Sequence, residues 1–351
     1  MLLQSAFAQT FVETRTIKKA FPVNKTTTFD VTNKYGKIQF LNWDYDSIKI
    51  IVEINISSDD YMKLEKLKQN IDVDIIASKS FITAVTNINT DNNKLVSDVI
   101  NLANPKNSTK NMVTIDYTVY IPKYINLNVI NKYGDIYLDD LEGTLNLEIL
   151  HGDLKANSIE KANKINIKFG KANINNIEKA WMSMYYADAI VARANHLNFD
   201  SKSSDIVINE VNTLKVNSRR DKFNISKINS LYGISSFTDF FIDNFYNEIN
   251  IDLKYGSMNI DNVSKNFVLV KIFSKYTDVV LMFEHSTKYS LDMHYKNADF
   301  SYPQSLAKLE TKLDPNDDKA YYIDGFIGGT DGKSMIKLDV QNCNVKFLHK
   351  N

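Results

Sequence analysis

Apolar and polar residues alternate along most of the chain, and the alternating stretches recur at a nearly constant interval. Each repeat can be aligned on one polar residue that follows a short turn, and we call these residues the anchors. Successive anchors are separated by 18, 18, 17, 17, 17, 17, 18, 21 and 21 residues. Apolar residues recur at alternate positions on both sides of the anchor, as in strands with one buried face. The anchors are Asp135, Asp153, Lys171, Asp188, Asp205, Lys222, Asp239, Ser257, Asp278 and Asp299.

The length of the repeat indicates the architecture. A repeat of about 18 residues is too short for a helical hairpin or a propeller blade, whereas it fits one coil of a β-solenoid. In a solenoid, the backbone groups of neighbouring coils bond to each other and equivalent side chains stack. We therefore predict an all-β protein that forms a single-stranded parallel β-helix, or β-solenoid, with coils of 17–21 residues. Parallel crossover connections favour right-handed winding.

The repeat divides the chain into regions. Residues 126–300 form the predicted solenoid of about ten coils, and residues 301–351 lose the spacing and form a C-terminal cap with strands at SMIKLDV and NVKFL. Residues 10–125 form an N-terminal β-rich cap that contains a first coil and one short helix at 57–70. In residues 1–9, the sequence AFA before Gln9 has the form of a signal-peptidase site, so we interpret this segment as the remnant of an export signal.

The composition limits the kinds of partner and the cellular locations that we expect for this protein. The 351 residues carry 42 basic and 42 acidic side chains, and this zero net charge gives no reason to expect nucleic acid as a partner. No apolar run approaches the ~20 residues of a transmembrane helix. The single cysteine, Cys343, excludes a disulfide framework, and the five histidines lack the spacing of zinc ligands. We expect a periplasmic, cell-surface or secreted protein with no cofactor, no metal and no transmembrane span.

The residue before each anchor is small or tolerant of turns, as at Gly134, Gly152 and Ser204. A tight turn can demand a positive φ, which glycine accepts and β-branched residues do not. We therefore expect this position to hold the left-handed residue of each turn, although Thr238 and Thr277 argue against one shared conformation.

Three segments, VTNKYGKI at 31–38, VINKYGDI at 129–136 and IDLKYGSM at 251–258, share a KYG core. Together with the strand DSIKIIVEI and the segment TIDYTVYIPKYINLNV, they resemble the putative-adhesin domains of bacteria, a β-strand-repeat family of unknown function that is common in Bacteroidota. The resemblance covers about residues 28–300. It implies an exported single-chain β-solenoid and supplies no functional residue to carry over.

The position two residues before the anchor is often aromatic. Stacked on adjacent coils, these rings form either a sugar-binding stripe, since flat rings with a polar tip suit pyranose faces, or a structural stack that rigidifies the turn. We favour the structural stack, because Ser203 and Arg220 interrupt the series. The candidate ligand-binding residues are Tyr133, Phe169, Tyr186, Tyr255 and Tyr276.

The charged residues of the turns have two interpretations. The acidic anchors could bind calcium, but the structural alternative, turn formation by Asp side chains, is favoured. Arg219 and Arg220, beside Asp221, are candidate ligand-binding residues, because parallel β-helix lyases abstract a proton next to a carboxylate with a basic residue and calcium. A surface ion-pair cluster is the simpler interpretation of the same residues.

The segment FTDFFIDNFY at 237–246 holds five aromatic residues. The register places Phe240, Ile242 and Phe245 inward, and the other aromatic residues outward or at turns. These outer residues form a candidate apolar contact patch, used by the chain's own packing or by a partner. The patch consists of Phe237, Phe241 and Tyr246.

No catalytic constellation is present among these motifs. We predict an exported, non-enzymatic β-solenoid that serves as a cell-envelope scaffold or as an adhesion and binding module for protein or glycan. The alternative is a polysaccharide-binding protein or a calcium-dependent polysaccharide lyase that uses the flank of the solenoid.

Overall fold

The structure is a computed structural model that describes residues 10–89 and 111–350. The segment interpreted as the remnant of an export signal, residues 1–9, lies outside the described residues. The chain divides into two compact units, the first ending at Gly170 and the second beginning at Lys171. The cap boundaries that the sequence predicts, at residues 126 and 301, stay predictions.

In the described residues, unit 1 contains ten strands and one helix, and alternating buried and exposed residues form most of its strands. They are β1 (Phe11–Pro22), β2 (Thr28–Lys34), β3 (Ile38–Asn42), β4 (Ser47–Ser58), α1 (Tyr61–Asn70), β5 (Ile71–Ala77), β6 (Phe81–Ile88), β7 (Asn111–Ile121), β8 (Asn126–Lys132), β9 (Ile136–Leu150) and β10 (Leu154–Lys168).

Unit 2 contains eleven strands and a short 3-10 turn, Gln304–Leu306, in the described residues. The strands are β11 (Lys171–Tyr185), β12 (Asp188–Lys202), β13 (Asp205–Arg219), β14 (Lys222–Val263), β15 (Leu269–Phe283), β16 (Tyr289–Lys296), β17 (Asp299–Ser301), β18 (Ala307–Asp314), β19 (Asp317–Ile327), β20 (Ser334–Gln341) and β21 (Asn344–His349).

Neighbouring coils pair in parallel, with an offset equal to the repeat interval. In unit 1, Leu154 of β10 lies opposite Ile136 of β9. In unit 2, Ile206 of β13 lies opposite Ala189 of β12. Residues at the same place in successive repeats therefore stack, which confirms the predicted all-β solenoid.

The core of each unit lies inside the coils. In unit 1, the rings of Phe29 and Phe40, from consecutive strands of one coil, meet edge to face at 6.4 Å. In unit 2, Ile206 and Ile208 have no exposed surface, and Val211 is 2% exposed. Burying one such aliphatic side chain contributes about 1.5–3 kcal/mol relative to leaving it exposed, and the stack repeats this gain in every coil.

The N-terminal part of unit 1 departs from parallel stacking. β7 pairs in parallel with β3, but β4 is antiparallel to β7 and β1 is antiparallel to β4. Helix α1 lies within the segment where the sequence predicts a helix, and Oδ1 of Asp60 caps it by accepting from the backbone N of Met62 at 2.8 Å. Its apolar residues Leu64 and Leu67 are buried. No helix among the described residues is both long and apolar enough to span a membrane.

The C-terminal part of unit 2 corrects the order of coils that the spacing predicts. The spacing places the coil of Asp299 directly on the coil of Asp278, but β20 and β21 lie between them. Leu338 of β20 pairs with Ile272 of β15 on one side and with Met293 of β16 on the other. The intervening strands β18 and β19 form an antiparallel hairpin, and β19 pairs with β16. The last strands of the chain thus form an inner coil.

Candidate functional site: the aromatic turns

Each coil makes a tight turn that contains one residue with a left-handed backbone. In unit 1, the φ values of Tyr35, Tyr133, His151 and Phe169 lie between 56° and 65°. Non-glycine residues seldom adopt this conformation, and asparagine is among those that tolerate it best. The equivalent residues of unit 2, with φ values between 53° and 60°, are Tyr186, Ser203, Arg220, Phe237, Tyr255 and Tyr276.

The left-handed residue lies one position earlier than the sequence predicts. In unit 1, Gly134, Gly152 and Gly170 follow it and do not have a left-handed φ. They are small for another reason. A Cβ at Gly152 would lie 2.1 Å from the carbonyl oxygen of Gly134, and a Cβ at Gly134 would lie 1.9 Å from that of Gly36. Close approach of neighbouring coils, not the turn conformation, excludes a side chain at these positions.

The aromatic residues of unit 1 form one stack. Ring centroids are 5.4 Å apart between Tyr35 and Tyr133, 5.2 Å between Tyr133 and His151, and 4.9 Å between His151 and Phe169. Neighbouring rings are within 13° of parallel. Tyr35 is buried at one end, whereas Phe169 is 48% exposed.

Unit 2 contains a second stack, which we call the aromatic row and define as Phe237, Tyr255 and Tyr276. Their centroids are 4.8 Å and 5.0 Å apart and the rings are within 9° of parallel. All three rings are close to half exposed, between 45% and 51%. The row therefore presents the edges of three stacked rings to the surface, each pair contributing about 0.5–1.5 kcal/mol beyond its buried area.

Cations lie over the aromatic rings next to the two interruptions of the series, Ser203 and Arg220. The guanidinium carbon of Arg220 lies 6.0 Å from the ring centroid of Phe237, within the range of cation–π contacts. The Lys202 ammonium nitrogen lies 5.6 Å from the ring of Tyr186. The sequence predicts Arg220 as a candidate but misses this role. The signal that could have revealed this contact is a planar cation at a position that is aromatic in most other coils.

Arg219 and Arg220 lie together at an exposed turn, but Asp221 does not form a surface cluster with them. Asp221 is only 5% exposed and turns into the solenoid. Its Oδ2 accepts from the hydroxyls of Ser201 at 2.7 Å and Ser218 at 2.6 Å, and its Oδ1 accepts from the backbone N of Ser204 at 2.9 Å. Burial raises the pKa of this carboxyl group, and the hydrogen bonds oppose that rise.

The acidic anchors have a structural role in joining coils. Oδ1 of Asp135 accepts from the backbone N of Asp153 at 2.9 Å, and Oδ1 of Asp278 accepts from the backbone N of Asn344 at 2.7 Å. Each carboxylate thus binds the backbone of the next coil instead of closing its own turn. Across the described ranges 10–89 and 111–350, no group of three or more His, Cys, Asp or Glu residues is placed to hold a metal ion.

The predicted contact patch lies at the surface of unit 2. Phe237, Phe241 and Tyr246 are 50%, 39% and 41% exposed, while the inward residues of the same segment are buried. The Lys222 ammonium nitrogen lies 5.2 Å from the ring of Phe241. A partner surface for this patch stays a prediction.

Comparisons with known proteins identify no family and no curated relative for this chain. Among solved structures, the chain is similar to a putative cell adhesion protein from Clostridium sporogenes, at 6% identity and a TM-score of 0.19, over 96% of this chain and 100% of that one. It is also similar to a putative adhesin from Bacteroides fragilis, at 12% identity and a TM-score of 0.33, over 70% of this chain and 96% of that one. At such identities and TM-scores the function has to be argued from this chain's own residues.

Proposed function

We propose that this chain is an exported, non-enzymatic binding module of the adhesion type, and that the aromatic row of unit 2 contacts glycan at the cell envelope. The observation that carries the proposal is the choice of residue at the left-handed position. Asn297 and Asn342 hold a left-handed backbone in other turns of unit 2, with φ values of 46° and 54°. The backbone conformation therefore does not call for an aromatic ring.

The aromatic residues carry a cost that asparagine avoids. A non-glycine residue in the left-handed region costs on the order of 1 kcal/mol, and asparagine is among the residues least affected. Exposing half of a large ring also forfeits part of the stability that its burial supplies. Stacking offsets some of this cost, but it does not explain why the rings face the solvent. The exposed edges of the stacked rings can pack against the C–H groups of a sugar, and the hydroxyl tips of Tyr255 and Tyr276 can bond to its hydroxyl groups.

The experiment that tests this proposal replaces two rings with asparagine, which other turns of unit 2 hold in the same backbone conformation. In a Tyr255→Asn, Tyr276→Asn variant, we expect at least about tenfold weaker binding on a glycan array, because two exposed ring edges and their hydroxyl groups are lost. The fold should persist with a loss of about 1–2 kcal/mol in unfolding free energy, since two ring contacts disappear while the turn relaxes. Tyr45→Asn is the matched control, since Tyr45 is an exposed tyrosine of unit 1 outside the stacks.

The proposal is wrong if the double variant binds glycans as well as the wild type does. It is also wrong if the wild-type chain binds no glycan on the array. A separate assay tests the proposal that the chain is not an enzyme. The chain is incubated with acidic polysaccharides and calcium, and unsaturated products are followed by absorbance. Product formation that disappears in Arg219→Ala or Arg220→Ala would establish the lyase alternative instead.

A further inference from the structure

A second surface of unit 2, separate from the aromatic row, has the features of a binding site. A cleft of about 650 Å³ lies between the turn at residues 285–288, the loop at residues 301–306 and the end of β21 at residues 347–350. We call it the cationic cleft. Its volume is large enough for one or two sugar units.

The charged side chains of the cleft have one sign. Lys288 and Lys350 line it together with His285 and His349, and none of the lining residues, all of which belong to the described chain, is Asp or Glu. Since acidic and basic residues are equally numerous in the sequence, this segregation is local. A smaller cleft of about 230 Å³ in the same unit mixes both signs. It is lined by Asp252, Lys271, Asp292, His294, Lys337 and Asp339, among others.

The cations of the cleft differ in how they are paired. Nζ of Lys288 is bound to the carboxylate of Asp331 at 2.8 Å. Nζ of Lys350, by contrast, donates to the amide oxygen of Asn262 at 2.9 Å, a neutral partner. The carboxylate of Glu284 lies on the other side of this amide and forms no ion pair with Lys350 among the described residues, because it accepts from Nδ2 of Asn262 at 3.3 Å and from the backbone N of Lys265 at 3.2 Å. Lys350 is therefore the cation best placed to bind an added anion.

His349 supplies an independent observation. Its Nε2 lies 3.2 Å from the hydroxyl of Tyr289, and its Nδ1 is buried without a hydrogen-bond partner among the described residues. Burial raises the pKa of Tyr289, so this hydroxyl keeps its proton and can donate to Nε2. Burial also lowers the pKa of His349, and a neutral ring that accepts at Nε2 carries its proton on Nδ1. A buried ring nitrogen without a hydrogen-bond partner costs stability.

The remaining lining suits a sugar. Ser286, Ser301 and Ser305 bring hydroxyl groups to the cleft, and Pro303 and Leu306 add apolar surface. Hydroxyl groups pair with sugar hydroxyls, and apolar surface packs against the C–H face of a ring. A site lined by lysine alone would fit any anion, whereas this combination fits a saccharide that carries an acidic group.

We propose that the cationic cleft binds a carboxylate-bearing saccharide, with Lys350 and His285 next to the carboxylate and the serine hydroxyls next to the sugar. The carboxylate part of this assignment rests on the charge of the cleft. The saccharide part rests on the proposed glycan-binding function. The cleft and the aromatic row are two sites, so a variant of one tests it without altering the other.

The experiment is a calorimetric titration of the full chain with trigalacturonate, a hyaluronan tetrasaccharide and sialyllactose, each against a neutral methyl-ester form. We expect binding of at least one acid and at least about tenfold weaker binding of its ester, because the ester removes the charge that Lys350 attracts. Lys350→Gln should weaken binding of the acid by about tenfold, and His285→Gln should weaken it less. Lys346→Gln, an exposed lysine of β21 outside the cleft, should change nothing.

Several results would overturn the inference. Equal binding of acid and ester would exclude carboxylate recognition, and equal effects of Lys350→Gln and Lys346→Gln would exclude the cleft. Binding of a triglutamate peptide as tight as that of the sugars would indicate an acidic peptide partner instead. If neutral glycans bind through the aromatic row while none of the three acids binds, the inference fails and the proposed function stands. If the acids bind at the cleft while the Tyr255→Asn, Tyr276→Asn variant behaves as wild type, the aromatic row fails as the glycan site and the cleft remains.

Discussion

The tight turns of the two units share a left-handed residue, but they differ in the residue that follows it and in the groups that lie inside the turn. Both place a left-handed residue two positions before the anchor. In unit 1, the next residue is glycine in successive coils, and the coils approach so closely that no Cβ fits. In unit 2, most coils carry a side chain at this position, as at Ser204, Asp221 and Thr238, each at most 5% exposed, and Gly256 is the exception.

The polar groups inside the turn are satisfied differently as a consequence. In unit 1, amide side chains serve the first two glycine turns, because Nδ2 of Asn131 donates to the carbonyl oxygens of Gly36 and Gly134, both at 2.9 Å, and Nδ2 of Asn33 donates to that of Gly36 at 3.3 Å. In unit 2, side chains bond to each other, with the hydroxyls of Ser218 and Thr238 2.8 Å apart and the Asp221 carboxylate beside them. A solenoid can therefore close the same turn by close backbone approach or by a buried side-chain network.

The largest expected effect comes from placing a side chain where unit 1 has none. Gly152→Ala would put a Cβ 2.1 Å from the carbonyl oxygen of Gly134, and backbone atoms cannot move aside cheaply. We expect a loss of about 3 kcal/mol or more in unfolding free energy, measured by urea denaturation, because overpacking against the next coil forces the two apart. The control is Ala187→Gly, the reverse change at the equivalent turn of unit 2.

The control should cost only about 1–2 kcal/mol, through a lost buried methyl group and a more flexible unfolded chain. If Gly152→Ala costs no more than Ala187→Gly, close approach is not what keeps glycine in unit 1. The two turns would then be equivalent, and the contrast between the units would have no energetic basis.

A smaller effect is expected from breaking the network of unit 2. Ser218→Ala removes the hydroxyl that contacts both Asp221 and Thr238. Leaving buried polar atoms without this partner should cost about 1–3 kcal/mol in unfolding free energy, measured by the same denaturation experiment. Ser183→Ala, on the outer side of β11, should change stability by less than about 0.5 kcal/mol. Equal costs for the two serines would mean that the network contributes nothing to stability.

The repeat interval is sufficient to predict the register of the coils. Because each inward residue must stack on its equivalent one coil away, the interval alone determines which residues pair. Phe240, Ile242 and Phe245, predicted to point inward, are at most 1% exposed. Ile208, predicted as an inward residue in the middle of the solenoid, is fully buried.

The interval could not predict which coils are neighbours at the C-terminal end. The alternation MIKLDV in β20 fits any coil, because every coil presents the same kind of apolar interior. The sequence of this strand has no feature that places it between Ile272 and Met293. The two intervals of 21 residues mark an irregularity in this region without revealing its form.

The site is predictable only in part, for a related reason. The aromatic column is visible in the sequence, but aromatic residues are not expected to hold a left-handed φ, so sequence reasoning places the turn one residue late. The cation–π contact between Arg220 and Phe237 depends on the geometry between coils. The cationic cleft unites residues near 285, 302 and 350, which no motif links.

The smallest expected effect concerns the charge of Asp221. Burial raises its pKa in the folded state, while the hydroxyls of Ser218 and Ser201 act in the opposite direction. A carboxyl group whose pKa is raised by folding stabilises the protein most when it is protonated, which holds below its pKa in the unfolded chain, about 3.9. This contribution is lost as the pH rises through the pKa of the folded state. The difference in unfolding free energy between the wild type and Asp221→Asn should therefore shrink from about pH 3.5 to about pH 7. A difference that grows with pH would mean that the hydrogen bonds outweigh burial, and that the network of unit 2 is built to hold a charged carboxylate.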